Sequence, residues 1–314
     1  MTTRPFSPDA ARAESAGWHA EHAAIARLCQ NASVEMTYHD AGHLNECRAL
    51  LGRAGRIYVS HLPQQSWEQS VAAAIEVHEA GFTPVPHLPA RHLANTEQLD
   101  QLLGQLTSKA GVEQLLLIAG DRAPVGTFAA SVDVLRTGLL QRHGIRRISV
   151  AGHPEGHPRV ANEELRAAEL DKVQLAQEAG IELSFVTQFA FDAAPILQWA
   201  RDLRARGIRH PIHIGLAGPA RLATLVQYAL RCGVGPSVRA LTGRGANFGR
   251  LLGERGPEAL VRELAGARES GLAIDGIHLF SFGGLARTCK WIRAVEEGHF
   301  SSDSAQGFTV EGVG

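Results

Sequence analysis

The chain reads as an α/β protein, a (β/α)8 TIM barrel with an N-terminal capping helix, in a single domain spanning 1–314. Three observations predict this. Short β-rich runs recur eight times, at 33–39, 56–62, 82–88, 114–120, 148–154, 183–188, 211–217 and 276–282. Segments with helical spacing of apolar residues lie between most of them. Glycines precede five of the strands, at Gly81, Gly111, Gly144, Gly180 and Gly207, where a helix-to-strand loop needs a left-handed residue.

Taken in order, 1–31 is an N-terminal helical extension: Ser7-Pro8-Asp9 starts a helix that runs Ala-rich to Cys29. SVEMTYH, RIYVSHL and FTPVPHL supply the first three strands, with a helix over 66–79 after the second. Asn95 or Thr96 caps a helix over 96–108. After the fourth strand, Val132, Leu135, Leu139 and Leu140 are spaced for one helix over 128–142. Helices over 162–179 and 193–206 follow the fifth and sixth strands, each ending at a glycine. The interval 218–275 exceeds one helix and is read as two or three helices around the Gly-rich loop 243–249, GRGANFG. A doubly wound sheet fits less well, because no GxGxxG follows the first strand and no P-loop occurs anywhere.

Composition narrows the function. The chain has 314 residues, 45% hydrophobic and 20% charged, enough for a large core. A net charge of -1 without basic runs argues against nucleic acid or an anionic membrane as partner. No apolar run approaches the roughly 18 residues that span a bilayer. The N-terminal stretch lacks an apolar signal core, so the expectation is a cytoplasmic protein. Four scattered cysteines, Cys29, Cys47, Cys232 and Cys289, form no CxxC and read as core thiols. Nothing here opposes a homo-oligomer.

In a barrel, residues at the C-terminal strand ends converge on one mouth. The stretch 114–124, QLLLIAGDRAP, ends a buried strand at Gly120-Asp121 and turns at Pro124, delivering a carboxylate there. A turn in which Asp121 satisfies local backbone would read the same way. Glu35 stands between Val34 and Met36, an odd place for an acid unless it faces a polar lumen. Buried there, it is expected to have a raised pKa suited to general acid work, with a structural ion pair as the alternative. HPEGHP brackets Glu155 with two His-Pro pairs, His153 and His157, in a braced loop that could meet a phosphate, a ring or a metal. Gln188, flanked by Phe189 and Phe191, is an amide able to read the edge of a flat heterocycle, or simply to cap the strand.

In this order the motifs SVEMTY, PHLPA, AGDRAP, GHPEGHP and TQFAFD resemble those of the methylenetetrahydrofolate reductase family, over about 33–216. The resemblance implies a barrel that binds FAD at its mouth and passes hydride from NAD(P)H to a small-molecule folate. It implies that Glu35 is the acid activating the folate and that Asp121 lies near flavin and folate as the second catalytic residue. Ser60, His87, Gly120, Asp121, His153, His157 and Lys172 fall at cofactor positions, and Gln188 and Phe191 beside the pterin. No metal is implied. The chain departs from the family pattern mostly on the flavin side: Ala119 replaces an Arg before Gly-Asp, Ser60-His61-Leu62 replaces TYG, His153 replaces an aromatic, and Lys172 is out of register. The expected function is interconversion of 5,10-methylenetetrahydrofolate and 5-methyltetrahydrofolate, through FAD or directly with NAD(P)H. Two alternatives stand beside it. One is a non-catalytic folate- or flavin-binding barrel supporting a methyltransferase; the other is a metal-dependent hydrolase using His39, His61, His87, His153, His157 and His213.

Overall fold

The computed structural model describes residues 8–52, 55–234, 254–303 and 307–312. The Gly-rich loop 243–249 lies outside the described residues. Eight parallel strands close a barrel: β1 (Ser33–Met36), β2 (Arg56–Val59), β3 (Thr83–Pro89), β4 (Gln114–Ile118), β5 (Arg147–Gly152), β6 (Glu182–Thr187), β7 (Ile212–Ala217) and, after two short strands, β10 (Gly276–Phe280). The barrel closes where β1 pairs with β10, setting Glu35 level with Phe280 on one side and Tyr58 on the other. All eight expected strands are present. The short strands β8 (Ala220–Arg221) and β9 (Glu254–Arg255) pair with each other, as do β11 (Phe300–Asp303) and β12 (Gly307–Val310).

Strand alternation divides the barrel into two layers. Outward residues such as Val34, Met36, Ile57, Leu115, Leu117, Ile148, Val150, Ile214 and Leu279 join the helices in the main apolar core. The inward layer has a small apolar cluster of Tyr58, Val85, Leu116 and Val186, and is otherwise polar. Tyr58 Oη lies 2.9 Å from Ser149 Oγ, which also receives Gln114 Nε2 at 3.0 Å and meets Ser184 Oγ at 3.0 Å.

The outer helices follow local chemistry. Helix α1 (Pro8–Cys29) leads into β1, and α2 (Leu44–Leu51) lies between β1 and β2. Helix α3 (Trp67–Glu79) starts on a capping box from Ser66 and Gln69. Helix α4 (Thr96–Ala110) starts on Asn95 and buries Leu99, Leu102, Leu103 and Leu106 along one face. All five predicted turn glycines have positive φ.

Three differences from the sequence reading have physical causes. The helix expected over 128–142 is two, α5 (Ser131–Arg136) and α6 (Leu139–Arg142), broken where Gly138 turns left-handed at φ 70°. The first strand stops at Met36, and a 3₁₀ segment, Tyr38–His43, leads into α2, which was not expected. Beyond β10, α11 (Leu285–Glu296) and the β11–β12 hairpin extend the chain past the eighth strand. The hairpin's Phe300 stacks on His22 of α1 at 3.9 Å and packs against Phe308, tying the C-terminal segment to the N-terminal helix. Helices α7 (Asn162–Glu178) and α8 (Ala193–Ala205) match expectation, and α9 (Leu222–Cys232) and α10 (Glu258–Glu269) fall in the long interval before β10.

The lumen leaves no room near β6 and β7. A Cβ on Gly215 would stand 2.1 Å from the Thr187 carbonyl oxygen. Gly215→Ala is therefore expected to destabilise the barrel by about 1–3 kcal/mol through backbone displacement, read from the midpoint of urea unfolding.

Candidate active site

Four strand ends build the centre of the barrel mouth. Glu35 projects inward from β1 and is mostly buried, its side chain 16% exposed. Ser60, just past β2, donates Oγ–H to Glu35 Oε1 at 2.6 Å. On the other oxygen, His278 Nε2 of β10 lies 3.4 Å from Oε2 and His87 Nε2 of β3 lies 3.2 Å away. The His87 contact has ion-pair distance but is not aligned as a hydrogen bond. Ser281 Oγ donates to the Glu35 backbone carbonyl, closing the seam between the first and last strands.

This surrounding corrects one expectation. Burial by itself would raise the Glu35 pKa, as the sequence reading supposed. The positive field of His87 and the hydrogen bond from His278 outweigh it, and hold the carboxyl well below the usual carboxylate range. Glu35 is an ionised acceptor, not a buried neutral acid.

Other predicted residues occupy a rim from β3 to β5. Gly120 has φ 92°, and a Cβ there would come within 3.3 Å of Pro89 and His92, so the turn after β4 requires glycine. That turn presents Asp121, 68% exposed, with Oδ1 3.6 Å from His92 Nε2. His92 is buried, and that nitrogen has no hydrogen-bond partner. Glu35 on β1 and Asp121 just past β4 belong to the same closed barrel, and half-buried Cys232 ends α9. His61 stacks on Trp67 at 4.1 Å and meets His92 edge-on at 5.1 Å, and burial pushes it down to about 4.

The braced loop after β5 sets His153 and His157 edge-to-face at 5.4 Å. Arg159 N–H donates to His157 Nδ1 at 3.2 Å, which makes Nε2 the protonated nitrogen of the neutral ring. Burial lowers His153 to about 4, with His157 and Lys172 adding to the effect. Lys172 on α7 is itself lowered by burial, opposed by Glu169 and Asp171. Arg91 lies within reach of His157, so the β3 and β5 loops face each other.

Gln188 follows β6, and its Oε1 accepts from the Phe189 backbone N–H at 3.1 Å. With its carbonyl so engaged, the amide offers a ligand its donor end. Phe191 packs edge-on to Phe189 at 5.6 Å and lines a cavity of about 140 Å³ with Leu225, Pro257 and Leu260. Phe189, Phe280, Phe282 and Tyr228 form an aromatic wall beside it, Tyr228 stacking on Phe282 at 4.1 Å.

The sequence reading did not single out His278, His92 or Tyr58. His278 was readable in principle, since it stands at the same inward parity as Phe280 in GIHLF. The histidines proposed as metal ligands are dispersed over the mouth and lumen. Among the described residues, no group of three His, Cys, Asp or Glu side chains is arranged to hold a metal ion.

A family model described as Methylenetetrahydrofolate reductase matches residues 22–230. The chain belongs to the methylenetetrahydrofolate reductase family. Membership places it among folate-related oxidoreductases, and members of the family generally use FAD. The matched stretch carries Glu35, Ser60, His87, Asp121, His153, His157, Lys172 and Gln188. Among solved structures, the 3-dehydroquinate dehydratase of Geobacillus kaustophilus HTA426 is 14% identical, covering 60% of this chain and 73% of its own, with a TM-score of 0.37. That likeness supports no inference. Among the described residues, no helix is long and apolar enough to cross a membrane.

The lumen sets a pH dependence of stability. His213 on β7 is lowered to about 4, by burial first and then by Arg56. Its folded-state pKa lies below the ordinary value near 6.5, so the unfolded chain binds more protons in between. Stability is full above about pH 6.5 and falls as the pH drops toward 4. His213→Gln is expected to flatten the dependence in that window, read by urea unfolding at a series of pH values.

Proposed function

We propose that this protein interconverts 5,10-methylenetetrahydrofolate and 5-methyltetrahydrofolate by hydride transfer. The observation that carries the proposal is the buried Glu35 carboxylate, contacted by Ser60, His87 and His278 inside the barrel whose β4 end carries Asp121. Opening the methylene bridge leaves an iminium cation on the folate. An anion fixed in a largely water-excluded mouth stabilises such a charge far more than a mobile one in water. Glu35 supplies that anion, and Asp121 adds a second, more solvated one.

The proton that the folate nitrogen takes up comes from His87, whose Nε2 lies 3.2 Å from Glu35 Oε2, and Glu35 stays ionised. Gln188 donates its amide N–H to the pterin edge, while Phe189 and its neighbouring aromatic residues form an apolar wall that keeps water from the reacting carbon.

The rim from β3 to β5 suits a dinucleotide. His92 Nε2 is buried, lies 3.6 Å from Asp121 Oδ1 without an aligned hydrogen bond, and could donate to a ligand there. Arg91, Arg122, Arg159 and Lys172 give the rim a cationic character that matches a pyrophosphate, with His157 beside them as a neutral donor. Ser60 and His87, expected at cofactor positions, are here turned onto Glu35. FAD, when bound, supplies hydride relay between NAD(P)H and the folate, and the residues above would hold it.

Purified protein mixed with methylenetetrahydrofolate and NADH or NADPH, with and without added FAD, is expected to consume the nicotinamide and form 5-methyltetrahydrofolate. Folate binding with no turnover under any of these conditions would instead make the protein a binding module. In the active protein, Glu35→Gln is expected to lower kcat by about 10²–10⁴-fold with folate affinity nearly unchanged. Full activity in that variant would remove Glu35 from the chemistry.

A further inference from the structure

His278 braces Glu35, and its own ring is fixed from behind. Its side chain is fully buried in the lumen, 0% exposed, directly below the mouth. Its two ring nitrogens are both engaged: Nδ1 lies 3.0 Å from Ser33 Oγ and Nε2 lies 3.4 Å from Glu35 Oε2. The carboxylate can only accept, so Nε2 carries the hydrogen. Nδ1 of the neutral ring then accepts from the Ser33 hydroxyl. The tautomer follows from the two partners and is not a free choice.

The groups around this ring are specific. From β1 come Glu35 and Ser33, and from β2 come Arg56 and Tyr58, the tyrosine edge-on at 4.6 Å. His87 faces it from β3 and His213 from β7, and Phe280 of its own strand packs edge-on at 5.0 Å. With Arg56 and His87 nearby, a second positive charge on His278 would be repelled, and burial lowers its pKa in the same direction. A neutral donor, oriented from behind, is the form this surrounding selects.

We propose that His278, with Ser33 behind it, is a positioning residue that holds the Glu35 carboxylate in place as an ionised acceptor. The inference rests on the reading of Glu35 as the group that faces the folate. It adds a line of contacts, Ser33 to His278 to Glu35, that runs from the barrel interior to the mouth. Ser60 fixes one carboxylate oxygen and His278 the other, so the pair sets the plane of the group, while His87 adds the larger share of the field that favours its charge.

The test reads Glu35 directly. Protein labelled with carboxyl-¹³C glutamate is titrated by NMR from about pH 8 to about pH 4.5, the range over which an ordinary glutamate begins to protonate. The Glu35 signal is identified by its loss in Glu35→Gln. In the parent it is expected to stay at its ionised position throughout. In His278→Leu, which removes the donor, the midpoint is expected to rise far enough for protonation to begin within that range. His278→Gln, which keeps an N–H donor, is expected to stay with the parent, and Ser33→Ala to show a smaller rise. A Glu35 signal in His278→Leu that titrates as in the parent would overturn the proposal. Should the Leu variant fail to fold, Ser33→Ala decides, a rise supporting the proposal and an unchanged signal overturning it.

The functional reading fails or survives separately. If the enzyme turns over folate, the acid limb of its kcat/KM profile is expected to move with the NMR midpoint. A shifted midpoint in a protein without folate turnover would keep the positioning role and discard the reaction.

Discussion

A carboxylate inside a barrel has to be compensated from more than one strand. Removing an ionised group from water costs several kcal/mol even after the protein relaxes. Glu35 meets that cost with Ser60 past β2 and His278 on β10, the strands that flank β1, and with His87 on β3, one strand further round the barrel. In an open sheet, β10 and β2 could not both flank β1 unless β1 stood between them as an inner strand, and β3 could not reach across the lumen. Closure and the charge state of Glu35 are therefore one constraint. Ser281, donating to the Glu35 backbone carbonyl, pins the same seam at the main chain.

The same logic explains why the lumen is polar. The outward layer takes the aliphatic residues and buries them under helices, which is where most apolar area leaves water. The inward layer is left to hydroxyls, amides and imidazoles that satisfy one another: Tyr58, Gln114, Ser149 and Ser184 on one side, Ser33, His278 and Glu35 on the other. A network of this kind stabilises only when each member has its partner. It also holds geometry tightly, because a displaced ring or hydroxyl strands a neighbour. A wholly aliphatic lumen would pack as well but could not carry an ionised acid to its rim.

Much of the fold was legible because it depends on local and periodic signals. Strand runs, capping residues such as Ser66 and Asn95, and the turn glycines act within a few residues. The miss at Gly138 has the same origin in reverse: the apolar spacing of Leu135, Leu139 and Leu140 continues across a glycine that the backbone uses to turn. Of the site, the positions of Glu35, Asp121 and Gln188 could be read from motif order. The ionisation of Glu35 could not, because it depends on His278, 243 residues away in the chain and brought alongside only by the β1–β10 pairing. Burial alone suggests a raised pKa, and only the neighbours reverse the sign.

The mouth is asymmetric in a way that suits a reaction between two different ligands. One side, from β6 through β7 to β10, is an aromatic wall of Phe189, Phe280, Phe282 and Tyr228, with the Gln188 amide at its edge. The opposite rim, from β3 to β5, collects Arg91, Arg122, Arg159, Lys172, His92, His153 and His157 around the exposed carboxylate of Asp121. Apolar, planar groups favour the first surface and phosphates the second. Glu35 stands between them, on the strand that joins the aromatic side to the basic side through β10 and β2. A cation forming at the boundary would find a fixed anion beside it and a dry wall behind it. The departures from the family pattern at Ala119 and His153 fall on the basic side, whereas Glu35 and Gln188 keep the residues of that pattern.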